Sequence, residues 1–277
     1  MTALSCGVMM PDSPEALHQR YLQQAGWTAA IRRQAFQRFG LDEAAHILEV
    51  GSGTGAITSE LRSSSPGAVI GLDRDQHANE YARRSDPGAA CITGLGERLP
   101  FPDFSFDLVC CHFLLLWVAD PLSILTEMLR VTRPGGGVLC LAEPDYGGRI
   151  EYPESLSALG ALQEQSLRAR GADPRLGRRL RRLLHQAGLA QVQAGVLGGE
   201  WTEAGVEPTP DLRDLEWRTL SDDLKGFSSP ADLRRLESEF ARARRDGSHV
   251  LFVPTFYGWG LRPTRPERMP PFPRQMG

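Results

Sequence analysis

The chain has 277 residues, 41% of them hydrophobic, enough to bury a full core. A net charge of -3, with Lys225 the only lysine among 31 basic residues, gives no polybasic surface for nucleic acid. Five cysteines without C-x-x-C or Cys/His metal spacing argue against a disulfide framework and a metal site, and with no membrane-length apolar run or secretory leader pattern the expected setting is cytoplasmic.

Residues 13–39 repeat Leu17, Tyr21, Ala25 and then Ile31, Ala35, Phe39 at helical spacing, which predicts two helices joined near Gly26. ILEVGSGTGAIT, residues 47–58, reads as a buried strand, a glycine turn and a helix. Gly51, Gly53 and Gly55 clear side chains from a tight turn, and the first amides of the helix suit a carboxylate or phosphate. The spacing Gly51, Gly53, Ala56 also satisfies the dinucleotide pattern G-x-G-x-x-G/A. Glu49 tips the choice, because a carboxylate there repels a pyrophosphate and attracts a cationic amino-acid moiety. GAVIGLDRD is a second strand ending at Asp73, whose two oxygens can accept both hydroxyls of a ribose. A third strand follows at 91–93 and a fourth at 106–111; Asp120 then caps a helix with Leu122, Leu125 and Leu129 on one face. An RPGG turn leads to a fifth strand at 138–142.

Taken in this order, E-V-G-S-G-T-G, the strand-end Asp73, E-R-L-P-F and the later strands resemble the class I S-adenosylmethionine-dependent methyltransferases. The likeness is to their small-molecule subgroup related to quinone-biosynthesis enzymes, and it covers residues 15–145 best. The resemblance implies an α/β, Rossmann-like doubly wound fold with a mostly parallel seven-stranded sheet, an antiparallel last strand and helical lid insertions. It implies S-adenosylmethionine as cofactor, leaving as S-adenosylhomocysteine, and a small-molecule acceptor, with oxygen, nitrogen or carbon as the methylated atom left open. Carried onto this chain, the cofactor contacts are Glu49, Gly51, Ser52, Gly53, Gly55, Asp73, Arg74, Leu95, Gly96, Glu97 and His112, with Tyr21 and Trp27 on a helix lying over the cofactor. One departure stands out. Relatives carry G-D-A before E-R-L-P-F, and here the triplet is Gly94-Leu95-Gly96, which leaves the adenine amino group to backbone, to Leu95 or to Glu97.

Past the fifth strand, Glu143, Asp145 and Tyr146 fall at the sheet edge where ligands bind in open α/β folds, and they are the expected acceptor-side catalytic group. The competing reading makes Glu143 a loop anchor. His112, just past the fourth strand, is the first candidate for a catalytic or positioning role, against a purely structural strand-end histidine; His249 and Tyr257 rank below it. Phe113 and Trp117 are expected to line the acceptor pocket or to pack beneath the next helix. Leu176, Leu180, Leu183, Leu184 and Ala187 form one face of a helix entering a sixth strand at 191–197. An insertion at 198–247 reads as two helices starting at Asp211 and Ser229-Pro230 and stopping at Gly226 and Gly247, followed by a single last strand, HVLFVPTFYGWG. The expected organisation is cap helices over 1–40, a methyltransferase domain over 41–262 with helical insertions at about 146–187 and 198–247, and a disordered proline-rich tail over 263–277. Two other classes stay open: a nicotinamide oxidoreductase, for which Lys225 is poorly placed, and a catalytically silent cofactor-binding relative. Nothing in the sequence sets the oligomeric state.

Overall fold

Leu48 and Val50 point to one side of their strand and Ile47 to the other, so this strand needs cover on both faces, as parallel sheets do. The computed structural model describes residues 13–41, 43, 46–198 and 210–264, the side chains of 210–216 excepted. In chain order the elements are α1 (Pro14–Arg38), β1 (His46–Val50), α2 (Ala56–Ser64), β2 (Ala68–Asp73), α3 (Gln76–Ser85), β3 (Ala90–Thr93), β4 (Phe106–Cys111), α4 (Pro121–Val131) and β5 (Thr132–Pro144). They continue with β6 (Ile150–Tyr152), α5 (Ala158–Ala169), α6 (Leu180–Gln186), β7 (Ala190–Leu197), α7 (Pro210–Leu224), α8 (Pro230–Arg245), β8 (Val250–Phe252) and β9 (Thr255–Leu261).

Seven strands form one sheet in the order β3-β2-β1-β4-β5-β9-β7. β1 to β5 pair in parallel, and β9 runs antiparallel between β5 and β7, with Trp259 opposite Leu139 on one side and Gln193 on the other. One face buries Leu48, Val109 and Val138 against Ile124 and Met128 of α4 and Leu180 and Leu184 of α6. The opposite face buries Ile47, Leu108 and Leu139 against Ile31 and Phe36 of α1 and Leu61 of α2. This is the expected doubly wound, mostly parallel arrangement. The chain reverses strand order beside β1, so the carboxyl ends of β1, β2 and β4 meet at a crevice.

Several local readings are corrected. α1 is one helix of 25 residues, because Gly26 lowers helix propensity without breaking it and the packing of Ala25, Thr28, Ile31 and Ala35 carries the helix through. The buried stripe of α4 is Ile124, Leu125, Met128 and Val131, with Leu122 and Leu129 at its margins. The RPGG run lies inside β5, where Gly135 takes φ +81°. The helix expected over 176–187 opens with a 3-10 turn, Gly177–Arg179, before α6. The last strand divides at Pro254, which has no N–H to donate: β8 pairs with β6 in a separate two-stranded ribbon, and β9 joins the main sheet. β6 itself has no alternation to announce it.

Outside the sheet, Leu156, Leu159, Leu220, Leu224, Leu236 and Phe240 form a small core of their own, which joins α5, α7 and α8 over one end of the molecule. The Ser229 side chain caps α8 by accepting from the Asp232 amide. Cys91, Cys110, Cys111 and Cys140 are buried free thiols. Cys6, residues 199–209 and the expected tail from 265 onward lie outside the described residues.

Candidate functional site

The crevice is built on the turn from β1 to α2. Gly51, Gly53 and Gly55 all have positive φ, at +76°, +51° and +86°. A Cβ on Gly51 would stand 2.7 Å from Leu114 Cδ1, and one on Gly53 would stand 2.8 Å from the Tyr21 ring. Both glycines are therefore required by backbone conformation and by close approach. The Gly51 and Ser52 amides donate to the Leu72 carbonyl, while the Gly53 amide donates to Asp73 Oδ2 at 2.8 Å. Asp73 Oδ1 takes the Asp75 amide at 2.9 Å, so the carboxylate is aimed along the loop with acceptor capacity left over. Burial raises the Asp73 pKa against the pull of these two amides. The Asn79 side chain donates to the Asp73 carbonyl, to the Ile92 carbonyl and to Thr93 Oγ1, which fixes the ends of β2 and β3 relative to each other.

Glu49 is buried beneath this loop, and the Thr58 hydroxyl donates to its Oε2. Burial, more than any neighbour, pushes its carboxyl up to about 8. Ser52 Oγ is buried without a hydrogen-bond partner.

α1 lies across the crevice. Tyr21 packs on Gly53, and burial, helped by Asp73, pushes its phenol up to about 12. His18 shares a hydrogen bond of 2.9 Å with Thr54 Oγ1. Seven residues beyond Tyr21, Thr28 Oγ1 lies 2.8 Å from His112 Nε2 at the end of β4. The Arg32 guanidinium donates to Thr28 Oγ1 and to the Ala25 carbonyl, and it is paired with Glu60 through Nε and Nη2. The arginine N–H thus occupies one lone pair of the threonine oxygen, and His112 Nε2 is the nearest of its other partners, ahead of the Ala25 carbonyl at 3.3 Å. Burial, and then Arg32, lowers the His112 pKa to about 3, so the ring is neutral. The next residue, Phe113, holds φ +52°, a strained backbone just past the carboxyl end of β4.

The expected acceptor-side group is dispersed. Both Glu143 oxygens are taken by backbone: Leu114 and Leu115 donate to Oε1 at 3.1 and 2.8 Å, and Leu116 donates to Oε2 at 3.1 Å. It therefore anchors the turn after β4, the competing reading, and burial raises it to about 8 against those three donors. Asp145 is buried in a two-pronged pair with Arg178, from Nε and Nη2. The Tyr146 side chain has no such partner among the described residues; burial, and then Asp223, raises its phenol against Arg20, Arg149 and Arg170. Trp27 is 61% exposed, about 120° round the helix from Tyr21, and is not brought to the glycine loop. Arg74 and Glu97 are exposed, and Leu95 is 57% exposed beside Gly96, whose hydrogens face Ile124 and Val50 too closely for a Cβ. Among the described residues no group of His, Cys, Asp and Glu is placed to hold a metal, and no helix is long and apolar enough to cross a membrane.

Sequence reasoning passed over His18, Thr28, Arg32 and Asn79. The signal for the first three was the i, i+3, i+7, i+10, i+14 spacing of His18, Tyr21, Ala25, Thr28 and Arg32 on one face of a helix.

The sequence model of the family described as Methyltransferase domain matches residues 48–140. An uncharacterized methyltransferase of Schizosaccharomyces pombe is 37% identical over 148 residues, 49% of this chain and 53% of the relative, so the match spans about half that protein's length. The demethylmenaquinone methyltransferase of Renibacterium salmoninarum is 34% identical over 175 residues, 62% of this chain and 73% of the relative. In fold, the chain is similar to Haemonchus contortus phosphoethanolamine N-methyltransferase 2 in complex with S-adenosyl-L-methionine, with a TM-score of 0.54 at 17% identity over 85% of this chain and 52% of that one. The glycine turn lies between two strand-end carboxylates, Glu49 and Asp73, at the carboxyl edge of a doubly wound sheet. The chain belongs to the class I S-adenosylmethionine-dependent methyltransferases, and its cofactor is S-adenosylmethionine.

The residues fit that group. Asp73 keeps acceptor capacity beyond the Gly53 and Asp75 amides, and the turn beside it leaves no room for a Cβ at Gly51 or Gly53.

Proposed function

We propose that the chain transfers the methyl group of S-adenosylmethionine to a small-molecule acceptor admitted between α1, the carboxyl ends of β4 and β5, and the helices α5 and α7. The observation that carries this reading is the enclosure of the crevice: α1 contacts the glycine turn through Tyr21 and His18, reaches His112 through Thr28, and meets α7 through Arg20. Such closure suits a small, desolvated acceptor better than a polymer, and the name of the Renibacterium relative points the same way.

In this reading Glu49, Gly51, Ser52, Gly53 and Gly55 hold the amino-acid end of the cofactor, Asp73 takes the ribose, and Gly96 with Leu95 borders the adenine. Tyr21 covers the turn. The cofactor supplies an electrophilic methyl whose sulfonium charge disappears on transfer, so alignment and exclusion of water provide much of the rate. His112, neutral and accepting from Thr28 at Nε2, has only its Nδ1 proton to offer. It positions an acceptor by donating a hydrogen bond and does not serve as a base. Glu143 supports the same turn from below, and Asp145 is committed to Arg178.

The test is methyl transfer from methyl-labelled S-adenosylmethionine to phenols, amines and reduced quinones. Label is expected in one acceptor class and lost in Asp73→Ala. Cofactor binding with no transfer to any of these acceptors would contradict the reading and favour a silent relative.

A further inference from the structure

Glycine inside a helix is unfavourable relative to alanine, because it loses the most backbone freedom on folding. At Gly51 and Gly53 glycine has a visible reason, a positive φ and no room for a Cβ. Gly26, in the interior of α1, has neither. Its backbone is helical, its position is exposed, and a Cβ built on it would meet nothing within 4 Å. What glycine adds there is ease of bending.

The two halves of α1 on either side of Gly26 are held in different ways. Beyond it, Ile31, Ala35 and Phe36 belong to the core on one face of the sheet, and Arg32 is paired through two nitrogens with Glu60 of α2. From residues 14–25 that core takes only Ala25, which adjoins the glycine. The first half touches the crevice instead: His18 meets Thr54 and the Tyr81 ring, and Tyr21 packs on Gly53. Its Arg20 reaches Asp223 of α7 only at 3.5 Å, the outer limit of a hydrogen bond. A segment with so small a share of the core opens more easily than the elements it rests on, and a helix as short as this one is marginal in water once detached.

Two of those contacts, at Gly53 and Thr54, lie on the turn where the cofactor's amino-acid end is proposed to sit. With α1 seated, the Tyr21 ring covers that turn so closely that a Cβ on Gly53 would stand 2.8 Å from it.

We propose that α1 is a lid hinged at Gly26: residues 14–25 swing off the glycine turn to admit the cofactor and to release its product, while residues 27–38 stay on the sheet. This inference rests on the methyltransferase reading, which supplies the ligand that the lid covers. The break near Gly26 that helical spacing suggests then belongs to the open form, and the single helix of 25 residues to the closed one.

Gly26→Ala tests the hinge, because the added methyl has open space and favours the straight helix. The thermal midpoint should rise by about 2–4 °C. Opening becomes about fivefold rarer, so association and dissociation of S-adenosylhomocysteine, followed by stopped-flow fluorescence, should both slow about fivefold while the calorimetric Kd stays within about twofold. Ala30→Gly, one turn into the anchored half, should lower the midpoint and leave both rates within about twofold. In the unaltered protein the amides of residues 18–25 should exchange with solvent about tenfold or more faster than those of 30–38, and slow when S-adenosylhomocysteine is bound. Unchanged rates in a stabilised Gly26→Ala protein overturn the hinge, as does a comparable change of both rates in Ala30→Gly or a single exchange rate along the whole of α1. Failure of S-adenosylhomocysteine to bind the unaltered protein would instead overturn the underlying methyltransferase reading.

Discussion

Glu49 and Glu143 are both buried carboxylates at strand ends, and what separates them is their donors. Glu143 takes three backbone amides, Glu49 one hydroxyl. Glu143→Gln keeps the shape but puts an NH2 where an amide donates, so it should cost about 2 kcal/mol of stability in urea unfolding while the folded fraction keeps its affinity for S-adenosylhomocysteine. Unchanged stability would remove Glu143 from its anchoring role. His112 depends in the same way on Thr28. Thr28→Val should cost about 1–2 kcal/mol by leaving Nε2 without its partner, while the His112 pKa stays low because burial and Arg32 remain; urea unfolding and a histidine titration check the two parts. Nitrogen chemical shifts of His112 read the direction of its hydrogen bond with Thr28: a neutral ring protonated on Nδ1 is expected in the unaltered protein, and a ring protonated on Nε2 would reverse the proposed direction of donation.

The carboxyl edge of β1 and β5 gives the fold a pH signature. Glu49 and Glu143 hold their protons more tightly folded than unfolded, from 4.5 up to about 8, so folding takes up protons in that interval and stability falls as pH rises through it. His112 acts oppositely: its folded value of about 3 lies below 6.5, so stability rises with pH until about 6.5. Two carboxyls against one histidine place the maximum of these three contributions near pH 4.5, with a decline that steepens from about 6.5 to 8 and that Glu49→Gln should reduce; a urea midpoint still rising across that last interval would contradict the assignment. The glycine turn was readable because Gly51, Gly53 and Gly55 answer to local backbone rules, and Asp73 because a strand end has a fixed place. By contrast, Glu143, Asp145 and Arg20 take their roles from partners 27 or more positions away, which no spacing reveals: Leu116, Arg178 and Asp223. The continuity of α1 was hidden for a related reason, since packing across the sheet outweighs one glycine. Gly53→Ala, which forces φ +51° on an alanine and drives its methyl into Tyr21, should lose about 1–2 kcal/mol of stability and at least tenfold in cofactor affinity.

At the scale of the whole molecule, the sheet and the helices α5, α7 and α8 have separate cores. The smaller one is expected to open independently, so its amides should exchange with solvent faster than those of β1, β4 and β5. Equal protection in native-state hydrogen exchange would mean that the whole chain opens as one unit. The general plan, a doubly wound sheet with its crevice at the carboxyl edge, was legible through the resemblance that E-V-G-S-G-T-G, Asp73 and E-R-L-P-F carry in their order along the chain. The ribbon of β6 and β8 did not, because three-residue strands carry too little periodicity to register. The central claim is that the glycine turn between Glu49 and Asp73 is a site for S-adenosylmethionine. The most direct test is calorimetric titration of the protein with S-adenosylmethionine, S-adenosylhomocysteine and NAD. Saturable binding of both adenosyl ligands without binding of NAD is the predicted result; binding of NAD alone, or of none of the three by the folded protein, would contradict it.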